Sequence, residues 1–378
     1  MEEPLFELVN NGRIIATTEN NKIRDCSIII SAIGTSIKKD GSPNLESLDE
    51  LLNLIAPHFP KYGLLILKTT LPIGMTEIIA HKLSEITGFT LDQELFVSFS
   101  PERIVEGKAM EELRTLPKII GGIGPNSTIR TKEVIEKLGG EVVIVENTRT
   151  AEMCKLLDNS YRMTRFGFAA DVAAVAIENG INAYAAINAA NKGYVRNNIP
   201  LPSVGVSGYC LTKDPYYLDA AAPHIWENRG FPSTWLSARL AADLQTESAF
   251  NRVSIYFDND LKGKLIVIGG ITYKENIDDT RLSHGRILLE MFKKAGAEIL
   301  IWDSVTTENV IEGIPVHNNH MVLNEADCLV ITVPHDNFKL WQQNLEGVEL
   351  MNNKLIFDGW GIVQNSNKKE MYLMGTGI

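Results

Sequence analysis

Cysteine is scarce in this chain, with four in 378 residues, at positions 26, 154, 210 and 328, and no Cys-x-x-Cys pair. That scatter excludes a disulfide framework and a paired-cysteine zinc or redox motif, so a reducing compartment is expected. Basic residues are outnumbered, 36 against 47 acidic, giving a formal charge of −11. Because nucleic-acid binding relies on Lys and Arg neutralising phosphates, no nucleic-acid partner is expected. No stretch reaches the ~18 apolar residues of a membrane helix. The opening MEEPLFELVNNGRII carries acids where a secretory signal carries bases. The reading is a soluble, cytoplasmic protein with no membrane partner. His317 and His320 form only a lone His-x-x-His, and with no further ligands beside them no metal site is expected.

A phosphate-binding Gly-x-Gly-x-x-Gly turn is also missing. A dinucleotide site needs such a turn between a strand and a helix N-terminus. The segment GGIGPN (121–126) follows a strand-like run but lacks the third glycine and places Pro125 in the turn.

What is present is alternation. Short Ile/Val/Leu runs at 27–32, 64–70, 94–100, 117–122 and 141–145 read as strands. Between them 44–59 and 75–87 read as amphipathic helices, with Asn126 and Ser127 as the cap of a third. GRIIATT near the start reads as a further strand. From Thr148 to about Asn179 there is no proline and one glycine, which predicts a single long helix of the kind that carries subunit contacts. Residues 197–210 must be a loop, a helix-rich stretch runs from about Asp214 to Leu261, and strand–helix alternation restarts at Gly263. The expectation is an α/β chain with two Rossmann-like, doubly wound domains joined by a long central helix. Its divisions are 1–147, 148–261 and 262–378.

Cys26 and Cys328 adjoin apolar strands and read as core residues, and Cys154 reads as helix packing. Cys210 stands in a glycine-bearing loop, three and four residues before Lys213 and Asp214. A nearby ammonium favours the reactive thiolate and a carboxylate can order water, so nucleophile and structural thiol are both open readings. Lys155 and Asn159, four apart, share a helix face that is either solvated or aims an ammonium and a carboxamide at one point. Glu102 and Glu106 offer a general base or an exposed acidic face. Thr70 ends a strand, at the carboxyl edge where parallel sheets bind ligands.

Taken together, TTLPIGMTE (69–77), SPERIVEGKA (100–109), AEMCKLLDNSYR (151–162), GVSGYCLTKDP (205–215) and YKENIDDTRLS (273–283) resemble, in order, the motifs of the UDP-glucose/GDP-mannose dehydrogenase family. The resemblance implies a nucleotide-sugar 6-dehydrogenase with NAD as cofactor and a UDP-sugar as partner. Members oxidise C6 of the sugar to a carboxylate through a thiohemiacetal and a thioester on the cysteine, for polysaccharide or glycan precursors. It implies Cys210 as nucleophile, Lys155 and Asn159 as stabilisers of oxyanion charge, and Asp214, Glu102 and Thr70 as handlers of protons and water. Arg196, Lys213, Glu106, Tyr209 and Lys274 would contact substrate. Thr70, Glu106 and Arg281 would contact cofactor. It also implies a homodimer or higher homo-oligomer, with Arg196 lent across the interface. The fuller patterns look more like the UDP-N-acetylmannosamine and UDP-N-acetylglucosamine branch than the UDP-glucose branch.

The family's Gly-x-Gly-Tyr-Val-Gly unit is not among these residues, so the first domain is expected to be truncated at its N-terminus, by about one βαβ unit. A UDP-sugar-binding paralogue without activity is the alternative reading, and a UDP-glucose enzyme a third. Ser207 replaces a family glycine, which raises the question of backbone strain in the cysteine loop.

Overall fold

The apolar runs become parallel strands, because a segment buried on both faces cannot alternate polar with apolar residues. In the computed structural model, which describes residues 2–363 and 371–377, they form two large sheets in two compact units. The first unit comprises Met1–Lys38, Pro43–Ile104 and Ala109–Lys155. The second comprises Lys39–Ser42, Val105–Lys108 and Leu156–Ile378.

The first unit runs α1 (Glu2–Asn10), β1 (Ile28–Ser31), the short strands β2 (Ser36–Ile37) and β3 (Pro43–Asn44), α2 (Glu46–Ile55) and β4 (Leu64–Leu67). It continues through α3 (Met75–Thr87), β5 (Phe96–Phe99), α4 (Ala109–Thr115), β6 (Lys118–Gly122), α5 (Pro125–Ile135) and β7 (Val142–Ile144). The sheet order is β1-β4-β5-β6-β7, parallel except where β5 meets β6. Leu51, Leu52 and Ile55 of α2 and Ile79 and Leu83 of α3 pack on Leu65, Leu67, Val97 and Phe99 of the strands. Among the described residues β1 pairs only with β4, and Ile28 and Ile30 on it are exposed.

Three expectations fail here. Residues 12–18, the expected GRIIATT strand, form none, since no neighbouring strand pairs with them. Cys26 is exposed rather than buried, because it ends a 3-10 turn before β1 begins. Asn126 and Ser127 do not cap α5. They lie inside its first turn, and the cap is the Asp92 carboxylate, which accepts from Asn126 N (3.1 Å) and Ser127 N (2.6 Å).

A second borrowed cap ties the long helix α6 (Thr148–Glu178) to α3. Glu152, fully buried, accepts from Gly74 N (2.6 Å), Thr76 N (2.7 Å) and the Thr76 hydroxyl (2.6 Å), which satisfies the otherwise orphaned amides that open α3. Burial raises the Glu152 pKa and these donors oppose it. Glu152→Ala strands two buried amides, at about 1–3 kcal/mol for each unsatisfied group. The expected result is faster hydrogen exchange at Gly74 and Thr76 and an earlier unfolding of the first unit.

In the second unit α6 is followed by α7 (Ala183–Asn191), α8 (Asp214–Ala220), α9 (Pro223–Arg229) and α10 (Thr234–Tyr256). Then come β8 (Leu265–Gly269), α11 (His284–Lys294), β9 (Glu298–Trp302), β10 (Val310–Ile311), β11 (Ile314–His317), β12 (Cys328–Ile331), α12 (Asp336–Trp341), β13 (Leu355–Asp358) and β14 (Tyr372–Gly375). The sheet order β10-β11-β9-β8-β12-β13-β14 winds both ways from β8, and only β10 is antiparallel. The long helix, the loop 197–210 and the restart after Gly263 all fall where the sequence predicts them. Strands β10, β11 and β14 were not foreseen, being short or broken by proline, glycine and polar residues.

Candidate active site

Loop 203–213 carries Cys210, whose side chain is exposed. Two glycines shape the loop: Gly205 at φ +149° and Gly208 at φ +97° adopt conformations that L side chains avoid. Ser207 has no positive φ, so the serine causes no backbone strain. A Cβ on Gly208 would lie 3.1 Å from the Tyr273 ring, so the tyrosine lies against this loop.

From Cys210 the chain turns at once into α8, the amides of Lys213 and Asp214 both donating to the Cys210 carbonyl. Asp214 is fully buried and Lys213 is 5% exposed. One Asp214 oxygen is 2.6 Å from Lys213 Nζ and the other accepts from Asn159 Nδ2 at 2.6 Å. Lys213 Nζ also lies over the rings of Tyr217 (5.0 Å) and Tyr209 (5.8 Å). The structure thus joins Cys210, Lys213, Asp214 and Asn159 in one cluster. Asn159 is no solvated helix residue: it is buried and its Nδ2 donates to Asp214. Lys213 Nζ pairs with the other Asp214 oxygen.

Tyr273, beside the loop, donates to Glu106 Oε2 at 2.6 Å. Burial, together with the Glu106 carboxylate, raises the Tyr273 pKa, so the phenol keeps its proton. Glu102 and Glu106 share no helix face, since residues 101–107 are irregular and the two glutamates belong to different units. Glu102 pairs with Lys68 (3.2 Å) and accepts from Arg103 N and Ile104 N. Burial pushes its pKa up, but Lys68 and these amides outweigh that and hold it below the ordinary value. Thr70 lies past the end of β4, its carbonyl accepting from the Thr35 hydroxyl at 2.9 Å. Lys155 is half-buried on α6, one turn before Asn159. Thr70, Glu102 and Lys155 belong to the first unit and the remaining candidates to the second.

Arg281 is exposed and paired with Asp279 through Nε and Nη2, which raises its pKa. Lys274 is half-buried. Arg196 is exposed, its guanidinium 4.7 Å over the Tyr194 ring. The other thiols offer less. Cys328 is buried on β12, and burial pushes its pKa up, while Cys154 packs against the core of the first unit.

The turn 121–126 does not cradle a phosphate. A Cβ on Gly121 would meet the Asn147 carbonyl at 2.4 Å, one on Gly122 the Thr128 hydroxyl at 2.4 Å, and one on Gly124 the Asp92 carboxylate at 2.4 Å. The glycines serve close packing, and a carboxylate already occupies the helix N-terminus.

Sequence reasoning missed a buried group behind the thiol loop. His284, the first residue of α11, is 5% exposed, and burial lowers its pKa from 6.5 to about 4, a hydrogen bond to the Val206 carbonyl opposing and the Arg239 charge assisting. The depressed value means that the unfolded chain takes up a proton between pH 6.5 and 4 that the folded chain refuses. Stability from this residue is therefore complete above about pH 6.5 and is lost as pH falls toward 4, by about 3 kcal/mol in full. All five tryptophans lie in the second unit. Urea unfolding followed by tryptophan fluorescence should show a shallower acid loss in His284→Asn than in the parent chain.

A largely parallel α/β unit, a second doubly wound α/β unit and a thiol loop flanked by helices along the chain define the class: an NAD-dependent nucleotide-sugar dehydrogenase. The chain belongs to the UDP-glucose/GDP-mannose dehydrogenase family, matching its NAD binding domain over residues 1–139, its central domain over 149–237 and its UDP binding domain over 267–365. It is 29% identical to the UDP-N-acetyl-D-mannosamine dehydrogenase of Methanocaldococcus jannaschii, over 98% of this chain and 83% of that one. The NDP-N-acetyl-D-galactosaminuronic acid dehydrogenase of Ralstonia solanacearum is also 29% identical, over 88% of this chain and 78% of that one. Among solved structures, UDP-D-ManNAc dehydrogenase from Pyrococcus horikoshii superimposes with a TM-score of 0.87 at 26% identity, covering 99% of this chain and 87% of that one. No helix among the described residues is long and apolar enough to cross a membrane.

Proposed function

We propose that this chain oxidises C6 of a UDP-N-acetylhexosamine, UDP-N-acetylmannosamine or UDP-N-acetylglucosamine, to the carboxylate by way of a covalent adduct on Cys210, in the making of polysaccharide or glycan precursors. The observation that carries the reading is the cluster itself: an exposed thiol whose own turn buries Lys213 and Asp214, with Asn159 closing the far side of the carboxylate. The names of the relatives from Methanocaldococcus jannaschii and Pyrococcus horikoshii support the choice of an N-acetylated sugar.

NAD, when bound, supplies the hydride acceptor for both oxidations. The residues of the chain do the rest. The Cys210 thiolate adds to the C6 carbonyl carbon, forming a C–S bond while the carbonyl oxygen takes a proton. In the second half, water adds to the thioester carbon, the C–S bond breaks, and the thiolate and a carboxylate are released. Negative charge grows on oxygen in both additions, and fixed donors aimed at it lower the barrier. Lys155 is proposed for that role. Asp214 sets the turn that presents the thiol and, with Glu102 and Thr70, is proposed to handle protons and water. Tyr209, Lys213, Lys274, Arg196 and Glu106 are proposed to contact substrate, and Thr70, Glu106 and Arg281 to contact cofactor.

A homodimer is proposed as the working form. Leu157, Tyr161, Phe168 and Val175 form an exposed apolar stripe along α6, and Leu240, Leu244 and Ile255 are exposed on α10.

The test is a panel of UDP-sugars with NADH counted against sugar consumed. The expected result is two NADH per UDP-N-acetylhexosamine and much slower turnover of UDP-glucose. One NADH per sugar would remove the thioester, and turnover of UDP-glucose alone would move the substrate assignment.

A further inference from the structure

The loop that presents Cys210 is gripped from behind by α10 and the start of α11. Arg239 of α10, 4% exposed, donates from Nη1 to the Val206 carbonyl at 2.8 Å and is itself anchored on Asp243. Thr246, one helical face along, donates to the Val204 carbonyl at 2.7 Å. Ser207 Oγ accepts from the amide of His284 at 3.2 Å, an amide that opens α11 and has no partner within the helix. The centre of the grip is the His284 ring. A Cβ on Gly205 would lie 2.5–2.7 Å from its atoms, so the imidazole fills the space that the glycine leaves.

The hydrogen inventory fixes the state of that ring. The single Thr246 hydroxyl proton goes to Val204, so toward His284 Nδ1, 2.7 Å away, the oxygen accepts. A proton on Nδ1 suits the Thr246 oxygen, and the Val206 carbonyl is a further acceptor for the ring.

We propose that His284 is a positioning residue for Cys210, its ring and its Nδ1–Thr246 bond holding residues 204–207 so that the thiol three residues on points at the sugar. The inference rests on Cys210 being the nucleophile. A group that makes no contact with substrate but sets the aim of the nucleophile acts on kcat and leaves KM alone, because misplacement of the reacting atom by about 1 Å costs on the order of 100-fold in rate.

The experiment compares His284→Leu and His284→Asn in the full chain, measuring melting temperature, kcat and KM for the UDP-sugar, and the rate of iodoacetamide labelling at Cys210 read by peptide mass. The expected result for His284→Leu is a folded variant by its melting transition, kcat lower by about 10- to 100-fold at unchanged KM, and an altered labelling rate at Cys210 with Cys26 unaffected. His284→Asn, which keeps a polar atom where Nδ1 stood, should recover most of the loss. A His284→Leu variant with parental kcat and labelling rate overturns the proposal. Should that variant not fold, Thr246→Val against Thr246→Ser tests the same bond, with loss in the first and recovery in the second expected, and parental kcat in both overturning it. Full turnover in Cys210→Ser would sink the nucleophile reading, and the labelling rate would still decide the role of His284.

Discussion

Cys210→Ala should lose at least about a thousand-fold in carboxylate formation, the scale on which removal of an attacking nucleophile is felt. Stability should barely move, since the side chain is exposed and surface substitutions stay within about 0.5 kcal/mol. UDP-sugar affinity should be close to that of the parent chain, so the variant separates chemistry from binding. Thiol labelling supplies an independent check. At neutral pH an alkylating reagent should reach Cys26 and Cys210 and spare Cys328, which is buried and pushed up in pKa. Bound UDP-sugar should then protect Cys210 and not Cys26. Equal protection of both would place the sugar elsewhere.

Asp214→Ala should be the most destabilising single change near the loop. It leaves the Lys213 ammonium 5% exposed without its carboxylate, and Asn159 without its acceptor. Removing one partner of a buried pair costs about 3–5 kcal/mol, a large part of the 5–15 kcal/mol that keeps a domain folded. Tryptophan fluorescence in urea should show the second unit unfolding at markedly lower denaturant. Replacing the pair together, Lys213→Met with Asp214→Leu, removes both charges and should return most of the stability, because buried ion pairs exchange for packed apolar residues at little cost. If the cluster serves the reaction, the double variant folds and stays inactive. If the double variant folds and turns over sugar at the parental rate, Lys213 and Asp214 are structural only.

Much of the fold is legible from residue pattern. The limits of α6 are visible because a proline-free, alanine-rich stretch has few alternatives to helix, and β8, β9, β12 and β13 because runs such as LIVIG have nowhere to go but a sheet buried on both faces. The expected strand at 12–18 fails for a complementary reason. Local β propensity counts only where a neighbouring strand completes the backbone hydrogen bonds, and none does. The same limit explains α5, whose cap comes from Asp92, some thirty residues upstream.

The sequence by itself determined the ordered motifs, and with them the family, the thiol loop and the residues with chemical potential, since those are matters of residue type and spacing along the chain. Only the tertiary structure decided how those residues are used. It showed that Asn159 and Lys213 are bonded to Asp214, that Tyr273 is held by Glu106 across more than a hundred and sixty residues, and that His284 lies behind the loop bearing Cys210. The physical reason is that hydrogen bonds and burial depend on distance in space. A buried donor or acceptor takes the partner that packing brings to it, and separation along the chain does not enter that choice.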